Sequence, residues 1–186
     1  MWTSRKRAKS KPVFRGEKVL LRGFVNGDEH PLYRWANDEA LQKLCRGDLI
    51  LPKSYEDVFA FMQAQGGVSR GVYQFGIEAL DAGRLVGYGG FTSVDARSRV
   101  GEVALLIGDE KDRHKGYGSD ALRVLCAFGF REIGLRKVKA RILADNLMSR
   151  ACFEGIGFRP EGLEKAEVYR DGVFIDVALY ALFGGE

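Results

Sequence analysis

A chain of 186 residues suits one domain and is short for two. Its composition, 46% hydrophobic and 29% charged, excludes a wholly disordered or collagen-like chain. The net charge of +4 is uneven: six of the 29 Lys and Arg residues (Arg5, Lys6, Arg7, Lys9, Lys11, Arg15) and no acid lie in residues 1–15, which leaves 23 basic against 25 acidic side chains, a charge of −2, for the rest. The body therefore lacks the excess of cations that a dedicated nucleic-acid surface needs.

Residues 1–15 read as a basic, solvated segment. The organisation expected is a flexible arm over 1–12 and one domain over 13–186. Glu17–Phe24 is a short β-rich run. Asp28 can cap a helix reaching Trp35, and Asn37-Asp38 a second reaching Leu44. Pro52-Lys-Ser54 opens a third, with Val58, Phe59, Phe61 and Met62 as its apolar stripe and Gly66-Gly67 at its end. Strands follow: Val72–Leu80 and Arg84–Val94 flank a turn at Asp81-Ala-Gly83, and Arg99–Gly108 is apolar on both faces, as in a central strand.

Tyr117–Ile133 then reads as a helix stopped by Gly134, Lys137–Leu143 as a strand, and Asn146–Gly155 as a short helix ending at Gly157. Phe158–Tyr169 and Val173–Phe183 form a hairpin around Arg170-Asp171-Gly172. One β-α-β crossover between otherwise antiparallel ends predicts an α+β fold. Its central sheet is mixed, mostly antiparallel and of about seven strands, with flanking helices.

The three cysteines (Cys45, Cys126, Cys152) are far apart and odd in number, so reduced thiols and a cytoplasmic location are expected, with no metal site. No apolar run approaches the roughly 20 residues that span a bilayer, and no secretory leader is visible. The 24 glycines stand well above the roughly 7% of ordinary usage and point to turns and to close backbone approaches.

The most informative segment is Gly108-Asp-Glu-Lys-Asp-Arg113-His-Lys-Gly116-Tyr-Gly118-Ser-Asp. A strand ends, a loop carrying Arg113 and Lys115 follows, and two glycines open a helix. Helix N-termini offer unpaired N–H groups and a positive dipole end to phosphate, and glycine lets the backbone approach the anion. A plain glycine-rich helix start is the bland alternative. Gly116-x-Gly118-x-x-Ala121 also fits a dinucleotide-binding pattern with Asp145 downstream, but that fold opens with such a unit and repeats it, whereas three strands precede this one.

Arg113-His-Lys-Gly116-Tyr-Gly118 resembles the R/Q-x-x-G-x-G/A signature of the GNAT superfamily of acetyl-CoA-dependent N-acetyltransferases. Gly101-Glu102-Val-Ala-Leu-Leu-Ile-Gly108 resembles the strand before that signature. Asn146-Leu-Met-Ser149, Phe153 and Gly157-Phe158 resemble its N-x-x-S…(Y/F)-x-x-x-G-F segment. Tyr169–Tyr180 resembles the terminal hairpin of the subgroup that acetylates ribosomal-protein N-termini, polyamines and some antibiotics. The likeness runs from about residue 13 to the end.

The resemblance implies transfer of an acetyl group from acetyl-CoA to a primary amine, on a protein N-terminus or a small molecule, by direct attack in a ternary complex. It implies that the backbone of Leu105, Leu106 and Ile107 pairs with the pantetheine arm while their side chains serve the core. Arg113, His114, Lys115, Gly116, Tyr117, Gly118 and Ser119 would hold the pyrophosphate. Asn146, with Ser149 and Phe153, would face the arm from across the gap, although Asn146 also reads as a helix cap.

Glu102 is the candidate general base if burial raises its pKa; otherwise it is an exposed strand-end carboxylate paired with Arg97 or Arg99. Phe153 stands where many relatives place a proton-donating tyrosine, and Tyr117 and Tyr169 are the alternatives for that role. Trp35, Phe61 and Tyr88 are candidates for the acceptor wall, with core packing as the alternative for each. A homodimer is compatible with the resemblance; a membrane or nucleic-acid partner is not expected. The runner-up reading is an acyl-CoA-binding module without turnover.

Overall fold

The computed structural model describes residues 14–45, 49–64 and 71–185. The arm over 1–12 and the Gly66-Gly67 helix stop lie outside the described residues. The elements are β1 (Val19–Arg22), α1 (Glu29–Ala36), α2 (Glu39–Cys45), α3 (Tyr55–Ala64), β2 (Tyr73–Ala79), β3 (Arg84–Asp95), β4 (Val100–Ile107), α4 (Tyr117–Phe128), β5 (Lys137–Leu143), α5 (Leu147–Glu154), β6 (Arg159–Arg170) and β7 (Val173–Phe183). A 3₁₀ turn at Glu110–Asp112 precedes α4, and a π-helical turn at Gly129–Ile133 extends it to the expected stop at Gly134.

The seven strands form one sheet in the order β1-β2-β3-β4-β5-β7-β6, antiparallel at every step except β4–β5. The α+β architecture is the one that the element order predicts.

Local chemistry sets the helix starts. Ser54 and Asp57 exchange hydrogen bonds (Asp57 N–H to Ser54 Oγ 3.1 Å, Ser54 N–H to Asp57 Oδ2 2.8 Å), a reciprocal cap for α3. Asp38 Oδ1 accepts the Leu41 N–H at 3.0 Å and caps α2. Asp28 does not cap α1 with its side chain, contrary to expectation. Its buried carboxylate pairs with the Arg22 guanidinium at 2.7 Å and accepts the Val25 N–H at 2.9 Å, while the third helical residue, Pro31, has no N–H to be capped.

The two larger cores lie on opposite faces of the sheet, and a smaller cluster of Leu143, Val168 and Val177 sits at β5–β7. Under α4 and α5 pack Phe91, Val103, Leu122, Leu125, Val138 and Tyr180, all nearly inaccessible to solvent. Burying side chains of this size contributes roughly 1.5–3 kcal/mol each. On the other face α1–α3 pack Leu32, Trp35, Leu41 and Val58 against Leu85 and Leu106. Of the stripe predicted for α3, Val58 is buried and Phe61 and Met62 are half-buried, whereas Phe59 is exposed.

The body begins earlier than the basic run suggests. Phe14 packs on Phe75 and Phe128 (centroids 5.5 Å in each case), and Arg15 bridges to Leu20, so residues 14 and 15 belong to the fold rather than to a solvated segment. Among the described residues no helix is long and apolar enough to cross a membrane.

Candidate active site

The site is built around a gap in the sheet. β4 and β5 pair over three rungs only, Val100↔Lys137, Gly101↔Val138 and Glu102↔Lys139. Beyond them β4 continues on β3 to Ile107, while β5 continues on β7 to Leu143↔Val177. Two neighbouring parallel strands thus separate with their facing edges unpaired, an arrangement that needs an occupant for its N–H and C=O groups.

The cleft between them has a volume of ≈ 140 Å³ and is lined by Val103–Leu105 of β4, Arg141–Leu143 of β5, and Asn146, Ser149 and Phe153 at α5. Strand alternation decides which backbone groups face it. The Gly108 N–H donates to Val86 O at 3.0 Å and the Leu106 carbonyl crowds Gly87, so these residues face β3. Leu105 and Ile107 therefore turn their backbone to the gap, and Leu106 does not. The side chains divide as expected: Leu105 and Ile107 pack towards α4, and Leu106 lies in the core beneath α1–α3.

At the upper end of the gap stands the N-terminus of α4. Gly116 is its cap residue with φ +84°, a conformation that only glycine adopts without strain, and no side chain caps the helix. The first-turn N–H groups of Tyr117, Gly118 and Ser119 are left to an incoming acceptor. A Cβ on Gly118 would point towards Leu105 and Ile107, 3.6 Å from each, so the helix start and the open strand edge border one space.

The loop side chains are arranged less simply than their spacing suggests. The Arg113 guanidinium turns back on the Gly108 carbonyl (2.9 Å) and serves the loop's own shape. Lys115 Nζ lies 3.4 Å from Asp112, a carboxylate 1% exposed and also paired with Arg84 at 2.8 Å. His114 is exposed, at φ +60°. The Tyr117 hydroxyl donates to Asp81 (2.7 Å), which pushes its phenol above the usual range and keeps it out of the gap.

Lys18 was invisible to motif reasoning, being 97 residues from the loop in sequence; its Nζ donates to Lys115 O at 2.6 Å. No local pattern could have marked it.

Asn146 borders the gap, and its side chain serves the expected cap and a tie to α2. Its Oδ1 caps α5 through the Ser149 N–H (3.0 Å), and its Nδ2 donates to Leu44 O (2.6 Å), tying α2 to the far wall of the gap. Phe153 is buried edge-on against Phe158 (4.9 Å) and forms an apolar wall. Tyr169 is exposed at the β6–β7 hairpin, in a tilted ring contact with Phe174 (5.1 Å).

Glu102 stands on the last rung before the gap opens. Its partner is neither Arg97 nor Arg99 but Lys139, its neighbour across the rung (3.1 Å), because parallel register places the two side chains on the same face. On that face a separate cavity of ≈ 330 Å³ is lined by Leu32, Ala36, Gln42, Lys53, Asp57, Val58, Phe61 and Tyr88. Phe61 meets Tyr88 edge-on (5.5 Å), and Tyr88 pairs with Leu106 of β4. Trp35 is instead a core residue, buried, with its indole N–H donating to Asp109 (2.9 Å).

A family profile described as an acetyltransferase (GNAT) domain matches residues 18–159, which contain the gap and the helix start. The chain belongs to the GNAT acetyltransferase family. A relative in this family, the uncharacterized N-acetyltransferase YoaA of Bacillus subtilis (strain 168), is 25% identical over 175 residues, 92% of this chain and 96% of its own. Among solved structures, spermidine N-acetyltransferase from Vibrio cholerae, in complex with CoA and spermine, superposes with a TM-score of 0.79 at 17% identity, covering 89% of this chain and 95% of that one. RimL, a ribosomal L7/L12 alpha-N-protein acetyltransferase in complex with CoA, gives 0.78 at 20% identity, covering 92% and 96%. These two likenesses establish the GNAT fold over nearly the whole chain.

Proposed function

We propose that this GNAT enzyme transfers the acetyl group of acetyl-CoA to a primary amine, a protein N-terminus or a small amine, by direct attack with both substrates bound. The observation that carries the reading is the release of β4 from β5 immediately after Glu102, under an uncapped α4. A CoA thioester fits the residues present. The open edge at Leu105 and Ile107 offers backbone groups spaced for an amide-bearing arm, and the start of α4 offers N–H groups and a positive dipole end to a diphosphate. When bound, acetyl-CoA supplies the activated acyl group, a thioester with a fair leaving thiolate.

The chain's own residues do the rest. The backbone of Leu105 and Ile107 holds the arm and polarises the thioester carbonyl. Gly116 to Ser119 hold the diphosphate, with Lys115 and His114 at the rim; Arg113 shapes the loop. Asn146, Ser149 and Phe153 close the opposite side. Glu102 accepts the proton of the amine, directly or through water, on the face opposite the arm. Phe153 cannot donate a proton and Tyr117 is engaged by Asp81, so the thiolate takes its proton from water. The acceptor lies on the Phe61–Tyr88 face, whose cavity walls are mainly apolar. Structural relatives whose names record spermine or a ribosomal protein share the fold and leave both acceptor classes in view.

The absence of a tyrosine at 153 supports a second reading, an acyl-CoA sensor that binds without turnover. One experiment separates the two. Acetyl-CoA is expected to raise the melting temperature, and thiol release is expected with at least one of a panel of peptide N-termini, polyamines, amino acids and aminoglycosides. Stabilisation without release across the panel favours the sensor, and no stabilisation at saturating acetyl-CoA rejects both.

A further inference from the structure

Neither cation of the signature loop lies over the start of α4. Arg113 is folded onto Gly108 O and Lys115 is drawn to Asp112. The ammonium that does lie there comes from β1's entry. Lys18 Nζ donates to Lys115 O (2.6 Å), and a Cβ on Gly116, the cap residue of α4, would stand 3.0 Å from that nitrogen.

The placement is fixed from below. Asp120, 5% exposed in the first turn of α4, accepts the backbone N–H of Lys18 (2.8 Å) and of Val19 (3.0 Å) through one carboxylate oxygen. These two hydrogen bonds to the helix hold residue 18 beside the loop and leave its side chain exposed above it. An ammonium carries three donors; one goes to Lys115 O, and among the described residues no carboxylate pairs with Lys18. A cation with spare donors beside an uncapped helix start is suited to a doubly charged oxyanion.

Resting on the CoA reading above, we propose that Lys18 is a phosphate-binding residue, donating to the pyrophosphate of the CoA thioester from outside the signature loop. Asp120 is the positioning residue that aims it. The competing role is a tie that only shapes the loop.

Calorimetric titration of the full chain with CoA and with 3′-dephospho-CoA tests this. Lys18→Gln is expected to weaken both by about tenfold, the scale of one charge-assisted hydrogen bond, because both carry the pyrophosphate. Lys18→Arg is expected to restore most of the loss. A loss seen with CoA but absent with dephospho-CoA moves the contact to the 3′-phosphate and overturns the assignment. An equal fall in the use of S-acetylpantetheine, which has no phosphate, overturns it in favour of the loop tie. Normal CoA binding by the unsubstituted chain with an unchanged Lys18→Gln constant rejects Lys18 alone. No CoA binding by the unsubstituted chain rejects the cofactor reading itself.

Discussion

Over Val100–Glu102 strand β4 is paired on both edges, whereas over residues 103–107 it keeps β3 and loses β5. The two stretches are consecutive parts of one strand, Val-Gly-Glu followed by the apolar Val-Ala-Leu-Leu-Ile, and Gly101 and Val103 face the same core. What differs is the neighbour. β5 is held along its whole length by β7, and Asn146 ties the segment after it to α2, so β5 cannot follow β4 as the sheet twists. The closed half up to Gly101 is therefore structural, Glu102 stands at the boundary, and the open half is left with polar backbone groups for a ligand.

The difference can be broken most severely at the open half. Gly118→Glu starts a charged side chain in contact with Leu105 and Ile107, where the arm and diphosphate would pass. CoA affinity is expected to fall by at least about a hundredfold, roughly 3 kcal/mol, in a thermal-shift titration. Retained protection by CoA would place the cofactor elsewhere.

At the boundary, Glu102→Gln is expected to lower kcat/KM for the amine by about 10²-fold while CoA affinity holds. Steady-state kinetics beside a CoA titration read the two quantities apart. Parallel losses in both would make Glu102 part of the cofactor site and not of proton transfer.

The closed half should answer in stability. A Cβ on Gly101 would meet Leu135 Cδ1 and Phe91 Cδ1 at 2.7 Å, so Gly101→Ala overpacks the core and is expected to cost about 1–3 kcal/mol in urea unfolding, with the CoA constant of the folded protein preserved. A weaker CoA constant at full stability would erase the distinction between the halves.

The smallest effect concerns the core that both halves share. Burial pushes the Cys126 thiol up to about 12, from an ordinary value of 9.0. The native state holds the neutral thiol, so this group's contribution to stability is complete below about pH 9 and is lost as pH rises towards 12. Cys126→Ser is expected to flatten that alkaline decline in equilibrium unfolding. Native-state labelling at pH 8 should modify exposed Cys45 and spare Cys126.

Much of this was legible along the chain. The Asp-Gly and Asp-Ala-Gly turns, the Ser54–Asp57 and Asn146 caps, the alternation of the strands and the Gly116–Gly118 helix start are local features, and local chemistry decides them. The glycine-opened loop before α4 and the family likeness were likewise readable, because glycine at a positive φ and an uncapped helix start are encoded within a few residues. The rungs at which β5 leaves β4, the turn of Arg113 away from the loop mouth, the pairing of Glu102 with Lys139 and the arrival of Lys18 across 97 residues were not. Each depends on the register of strands distant in sequence and on competition among charges for partners, which is settled only when the sheet closes around its core.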